Sequence, residues 1–162
     1  MRQPEKIDLK IYELKSLLQC VAQWRVLGKT VGFTNGCFDI LHKGHIFSLS
    51  EAAKEADYLI VAINSDNSVK KLKGPDRPIN TEQTRALIVA SLLIVDAVII
   101  FDEENPLELI KLIQPDVLIK GNDYTLDKIA GAKEVIAAGG KVVLNPILEN
   151  YSTTNIIEQA TK

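Results

Sequence analysis

Cysteine is scarce. Cys20 and Cys37 are the only two and form no CxxC pair, which excludes a disulfide-rich scaffold and fits a reducing compartment such as the cytoplasm. An excess of basic charge is also missing. Lys plus Arg number 19 against 21 Asp plus Glu, a net charge of −2, so no basic blanket exists for nucleic acid and any anion site must be local. No apolar run approaches the roughly 18 residues that cross a bilayer, and residues 1–8 are polar where a signal peptide requires an apolar stretch. A soluble protein with no membrane partner is the expectation. At 162 residues, 46% of them hydrophobic, the chain can bury one ordinary core but hardly two. Residues 1–162 are therefore expected to form one domain, with no repeat, low-complexity tract or linker.

What is present is alternation. Ile7, Ile11, Leu14, Leu18 and Val21 recur at steps of four and three, which predicts an amphipathic helix over about residues 5–26. Its apolar surface hints at a homodimer contact, although packing on its own sheet would account for it equally. Short β-rich or continuous apolar runs predict strands over 30–34, 58–63, 97–101, 117–120 and 141–144. Helical patterns fall between them at 44–56, 81–93, 106–113, 132–138 and 152–159. A polar stretch over 64–80, with Lys70, Lys71, Lys73, Gly74, Pro75, Arg77 and Pro78, is expected to be a long functional loop. This order specifies an α/β fold, a doubly wound and mostly parallel five-stranded sheet that binds ligands at the carboxyl ends of its strands.

The two histidines lie closer together than chance would place them: His42 and His45 are the only ones and fall within four residues. Spaced three apart on a first helical turn, two imidazoles project from one face beside free backbone N–H groups and the positive dipole end. Gly44 lets a bulky anion approach the backbone there, and Asn35-Gly36 offers a second close approach in the preceding loop. The plain alternative is a pair of satisfied core histidines. Zinc lacks a third histidine or a suitably spaced cysteine. Ser152, Thr153 and Thr154 can donate to phosphate oxygens at a helix start, or merely cap it. Lys73 and Arg77 sit among glycine and proline, as in a loop that folds over a polyanion, or else are solvated. Lys120, Gly121, Asp123 and Tyr124 follow a strand's carboxyl end, where a ligand or a simple turn belongs.

The run Thr34-Asn35-Gly36-Cys37-Phe38-Asp39-Ile40-Leu41-His42-Lys43-Gly44-His45 resembles the signature of the HxGH nucleotidyltransferases. With VAINSD, LKGPDRPIN, PLELI, QPDVLIKGNDY and YSTTNII following in one order, residues 14–158 are most similar to the heptose 1-phosphate adenylyltransferase family. The resemblance implies a Rossmann-like fold and transfer of AMP from ATP to D-glycero-β-D-manno-heptose 1-phosphate. ADP-heptose for lipopolysaccharide core and pyrophosphate would be the products. It implies Mg2+ carried mainly by the nucleotide phosphates, with no metal ligand from the protein. On this resemblance His42 and His45 would bind the triphosphate and stabilise the transition state, and Lys73 would neutralise the phosphates. Nucleotide contacts would come from Phe33, Thr34, Asn35, Gly36, Cys37, Phe38 and Gly44 on one side, and from Lys120, Gly121, Asp123, Ser152, Thr153 and Thr154 on the other. Asp39 would face the acceptor or the metal environment, and Asn64, Arg77 and Tyr124 would touch the acceptor; Cys37 is expected to be a small filler. Bifunctional members carry a sugar kinase ahead of this domain, for which 162 residues leave no room, so a separate heptose kinase is expected. Two departures stand out. Asn155-Ile156-Ile157 replaces an arginine found in several superfamily members, a contact left to Arg77 or Lys120, and Asn122 and Asn150 stand where glycine is expected. A cytidylyltransferase acting on glycerol 3-phosphate or a related alcohol phosphate shares the same signature. So does a nucleotide-binding regulator that no longer catalyses.

Overall fold

Strands covered on both faces must be apolar along their whole length, and five such runs form the sheet. The computed structural model describes residues 6–148 and 151–160; the glycine expected in place of Asn150 lies outside them. Strands β1 (Val31–Gly36), β2 (Tyr58–Asn64), β3 (Ala97–Phe101), β4 (Val117–Gly121) and β5 (Lys141–Asn145) pair in the order β3-β2-β1-β4-β5, all parallel. Four of them run one or two residues past the apolar stretch, ending in Asn35-Gly36, Asn64, Gly121 and Asn145. The ladder continues there while the side chains turn polar: the ends of β1, β2 and β4 line the cleft, and the Asn145 amide donates to the Ser48 carbonyl at 3.1 Å.

Seven helices are described: α1 (Leu14–Val26), α2 (Lys43–Ala53), α3 (Asp66–Lys73), α4 (Glu82–Ala90), α5 (Leu107–Ile113), α6 (Ala132–Ala137) and α7 (Thr153–Ala160). Leu17, Val21 and Trp24 of α1 pack with Ile110, Ile113 and Val135 of α5 and α6 in the core on one face. Leu49 and Ala52 of α2 pack with Ala86, Val89 and Ala90 of α4 on the other. Trp24 also stacks on Tyr58 with ring centroids 4.2 Å apart. Leu17, Val21 and Trp24 of α1 are thus used within the chain, while Leu14 and Val26 stay exposed.

Two expected boundaries need correction. The first helix begins at Leu14, not near residue 5: Asp8–Lys10 is a single 3-10 turn, and Ile11 bridges in parallel to Val98. The edge of β3 offers open ladder positions, and the Tyr12 N–H takes one by donating to the Val98 carbonyl at 2.8 Å. Lys10 Nζ adds donations to the Leu92 and Val95 carbonyls at 3.2 and 2.7 Å. Ile7 and Ile11 still pack against the core, so their spacing reported burial correctly and helix wrongly. The stretch over 64–80 is also not all loop, since α3 occupies its first half. Ser65 Oγ caps α3 by accepting from the Ser68 N–H at 3.0 Å, with Asp66 in its first turn and Lys70, Lys71 and Lys73 in its last, complementing the dipole. Only Ser68 and Val69 are buried, too little for an apolar stripe to announce the helix.

The chain runs outward from β1 through β2 to β3, then returns to the far side of β1 for β4 and β5. That reversal splays the loops after β1 and β4 apart at the carboxyl ends, opening the crevice in which doubly wound sheets bind ligands.

Candidate active site

A cleft of about 670 Å³ fills this switch point, within the range of small-molecule sites. Its floor is the turn from β1 into α2. Phe38 adopts a left-handed φ of 46° with its ring buried and tilted against His45, centroids 5.2 Å apart. A Cβ on Gly36 would stand 3.0 Å from that ring, so a side chain there would press on Phe38 where β1 gives way to the loop. His42 caps α2 in an extended conformation. One turn on, His45 stacks against it, ring centroids 3.8 Å apart and planes 23° from parallel. A Cβ on Gly44 would lie 3.0 Å from the His42 ring and 3.1 Å from Tyr151 Cβ, so glycine there seats the imidazole pair as well as opening the backbone.

Burial pushes the His45 pKa down to about 4, reinforced by neighbouring His42 and opposed by a backbone contact with Ile40. Burial lowers His42 as well. Both rings are therefore neutral at pH 7, each nitrogen able to act as donor or acceptor according to tautomer. Both Nδ1 atoms, and Asn35 Oδ1, are buried without a hydrogen-bond partner among the described residues. Such orphaned atoms cost about 1–3 kcal/mol each, which points to a polar ligand meeting them.

Cations and hydroxyls ring this floor. Lys120, at the end of β4, reaches the Asn35 carbonyl at 3.4 Å and lies 5.1 Å from the Tyr124 ring centroid. Burial lowers its pKa, against the pull of Asp123. A Cβ on Gly121 would come within 2.6 Å of Asp123 Oδ1. Lys73 ends α3 at the rim, exposed. Ser152, Thr153 and Thr154 line the opposite wall, and Thr153 Oγ1 is tied to the Ile40 carbonyl at 3.4 Å. The cleft thus gathers Thr34, Asn35, Gly36, Cys37, Phe38 and Gly44 with Lys120, Gly121, Asp123 and Tyr124.

Three expected roles change. Phe33 is fully buried in the core beneath the cleft, so its side chain has no access to a nucleotide. Asp39 is 2% exposed and already saturated: it accepts from Arg77 Nε at 2.7 Å and from the Ile79 and Asn80 N–H groups at 2.9 Å. Burial pulls its pKa up, but those donors outweigh burial and hold the carboxyl below its ordinary value. Asp39 therefore anchors residues 77–80 and is withdrawn as a ligand for acceptor or metal, and Arg77 is partly committed with it. Asn64 lines the cleft but is 3% exposed, its amide donating to Ser68 Oγ at 2.9 Å. Burial pushes the Cys37 thiol up, with Lys73, Arg85 and Arg77 opposing, which suits the expected filler.

Other residues escaped the sequence reading. Arg85 of α4 is 0% exposed and donates to the Cys37 carbonyl at 2.6 Å; its only signal was a cation opening the apolar run ALIVA. Glu104 and Asn105, between β3 and α5, also line the cleft, with no motif to mark them. Among the described residues, no group of three or more His, Cys, Asp or Glu is placed to hold a metal ion, and no helix is long and apolar enough to cross a membrane.

Residues 33–159 match the cytidylyltransferase-like family. The chain is 52% identical over 155 residues to bifunctional protein HldE of Caulobacter vibrioides, covering 96% of this chain and 32% of that protein. It is 49% identical over 152 residues to bifunctional protein HldE of Paramagnetospirillum magneticum, covering 94% and 31%. The chain thus spans about a third of the length of these curated relatives. Among solved structures, the lipopolysaccharide core biosynthesis protein from Thermoplasma volcanium GSS1 superposes with a TM-score of 0.60 at 30% identity, over 77% of this chain and 100% of that one. Pantoate-beta-alanine ligase from Francisella tularensis shares the fold, with a TM-score of 0.59 at 18% identity over 93% and 76%. A match that begins inside β1 and ends inside α7 takes in every cleft residue named above, and by it the chain belongs to the cytidylyltransferase-like family.

Proposed function

We propose that the chain, as one nucleotidyltransferase domain, transfers AMP from ATP to D-glycero-β-D-manno-heptose 1-phosphate, giving ADP-heptose and pyrophosphate. The observation that carries this reading is the stacked, neutral imidazole pair with orphaned Nδ1 atoms at the start of α2. Two rings 3.8 Å apart are poor hosts for two positive charges but good hosts for a shared polyanion. Their N–H groups meet the oxygens of the triphosphate, and they are positioned before charge develops on the α-phosphate and leaving group. A sugar 1-phosphate oxygen attacks the α-phosphorus, the bond to the β-phosphate breaks in line, and no covalent enzyme intermediate is required. Lys73 and Lys120 counter the charge of the two polyanions brought together. Ser152, Thr153 and Thr154 hold departing phosphate oxygens at the start of α7, and Lys120 takes the place of the arginine missing after them.

The base and the sugar call for opposite surroundings, and the cleft offers both. Among its lining residues Ile129, Ala130, Ile147 and Leu148 are apolar and suit adenine. Glu104 and Asn105 are polar and suit a polyhydroxylated acceptor. Mg2+ would ride on the phosphates and lend them positive charge; Asp39 has no oxygen to spare for it. The name of the Thermoplasma structure supports a place in lipopolysaccharide core synthesis, in the cytoplasm where ATP is made. The acceptor would be supplied by a heptose kinase.

Pyrophosphate release with ATP or CTP against a panel of acceptor phosphates tests the assignment. Turnover is expected with ATP and heptose 1-phosphate, falling by about 10²-fold or more in His42→Ala and His45→Ala. Turnover with CTP alone would replace it with cytidylyl transfer to an alcohol phosphate. Tight nucleotide binding without pyrophosphate from any acceptor would leave a regulator.

A further inference from the structure

Among the described residues Arg85 is the bulkiest fully buried side chain, and it bonds to three different segments of the chain. Nη1 donates to the Cys37 carbonyl at 2.6 Å, Nε to the Asn80 carbonyl at 3.0 Å, and Nη2 to Asp66 Oδ1 at 2.8 Å. Cys37 lies in the β1–α2 loop, Asn80 in the connection between α3 and α4, and Asp66 in the first turn of α3. The Asp66 N–H is in turn held by Glu82 Oε2 at 2.7 Å. Each segment leads to a group in the cleft. One residue after Cys37 comes Phe38, whose strained left-handed backbone puts its ring on His45. Asp66 starts the helix that ends in Lys73, and Asn80 closes the segment that carries Arg77.

A buried guanidinium is costly, and its one charged partner is only partly covered, with 30% of the Asp66 side chain exposed. For stability alone an apolar side chain serves as well or better. What a planar fork of N–H groups provides is fixed directions to several acceptors at once, which a lysine does not. We infer that Arg85 is a positioning residue for the transfer reaction, setting the separation between the imidazole pair and the cationic segment through the carbonyls of Cys37 and Asn80. This rests on the function proposed above. It predicts an effect on turnover larger than on nucleotide affinity, because misplacement of the reacting groups by about 1 Å can cost about 10²-fold.

The test compares Arg85→Lys with Arg25→Lys. Arg25 also donates to backbone carbonyls, those of Ile113 and Gln114, but outside the cleft. Arg85→Lys is expected to lower kcat about 10²-fold with KM for ATP within about threefold, while Arg25→Lys lowers the melting temperature and spares kcat. Asp66→Asn keeps an acceptor for Nη2 and folds more readily; a smaller kcat loss, several-fold, is expected. A second readout needs no turnover. In NMR titrations the wild-type His45 ring is expected to stay neutral to about pH 4; in Arg85→Lys, with the loop released, it is expected to titrate nearer the ordinary histidine value. Unchanged His45 titration and unchanged kcat in Arg85→Lys would overturn the inference, as would equal kcat losses in the Arg25 and Arg85 variants. If the wild type transfers no nucleotide to any acceptor, the proposed function fails, and the His45 titration still decides whether Arg85 sets the loop.

Discussion

The depressed pKa of His45 makes a prediction about folding that needs no substrate. An unfolded His45 titrates near its ordinary 6.5, whereas the folded ring, desolvated and beside His42, titrates at about 4. Between those values the unfolded chain binds a proton that the folded chain does not, so stability falls as pH falls. The contribution is whole above pH 6.5 and lost progressively down to about 4. A shift of roughly 2.5 units at about 1.4 kcal/mol per unit amounts to about 3 kcal/mol, or roughly 6–12 °C in melting temperature for a chain of this size. His42, lowered in the same direction, adds to the loss in the same window. Asp39, held below its ordinary 3.8, gives up its share only at more acid pH and does not interfere.

The assay is urea denaturation of the wild type and His45→Gln at half-unit steps from pH 7.5 to about 4, with the quantity of interest being the difference between the two proteins. That difference is expected to shrink by about 3 kcal/mol toward pH 4, because glutamine takes up no proton. Parallel curves would refute the claim that burial holds this ring neutral. The same linkage bears on function, since a triphosphate beside the pair favours the protonated ring. Calorimetry near pH 6 in buffers of different ionisation enthalpy should then show proton uptake on nucleotide binding.

Gly44→Ala is expected to lower kcat at least tenfold with little change in melting temperature, because the new methyl would stand 3.0 Å from the His42 ring and displace an imidazole rather than the core; steady-state kinetics checks it. Asp39→Asn should cost about 3 kcal/mol in denaturant unfolding, since Arg77 loses its carboxylate and two amides lose a charged acceptor. KM for the acceptor should rise as residues 77–80 loosen. Lys73→Ala should lower kcat more than ATP affinity; weaker binding with unchanged kcat would make it a ground-state contact.

How far the sequence disclosed this molecule depends on what kind of partner each residue has. β2 and β4 were legible almost to the residue because a strand buried on both faces has to be apolar throughout, and YLIVAI and VLI fit little else. His42, Gly44 and His45 were legible because rarity and spacing coincide, and the stacked rings and the 3.0 Å clearance over Gly44 give that spacing its physical content. Ile7 and Ile11 misled because periodicity reports burial and not conformation: both positions are partly buried against the core, but Ile11 gets there by bridging to the edge strand β3. Asp39 misled differently. An acid inside a phosphate-binding signature looks like a ligand, and its true partners are the N–H groups of Ile79 and Asn80, some forty positions away. Arg85 was invisible for the same reason, since two of its three acceptors are main-chain carbonyls, which every residue carries and no motif records. Residues whose role is to hold backbone are therefore the ones a motif search passes over. In this fold they stand just behind the cleft, where α4 meets the loop after β1, and engineering of acceptor choice is better aimed at Glu104 and Asn105, which hold none of the loops that carry the imidazoles.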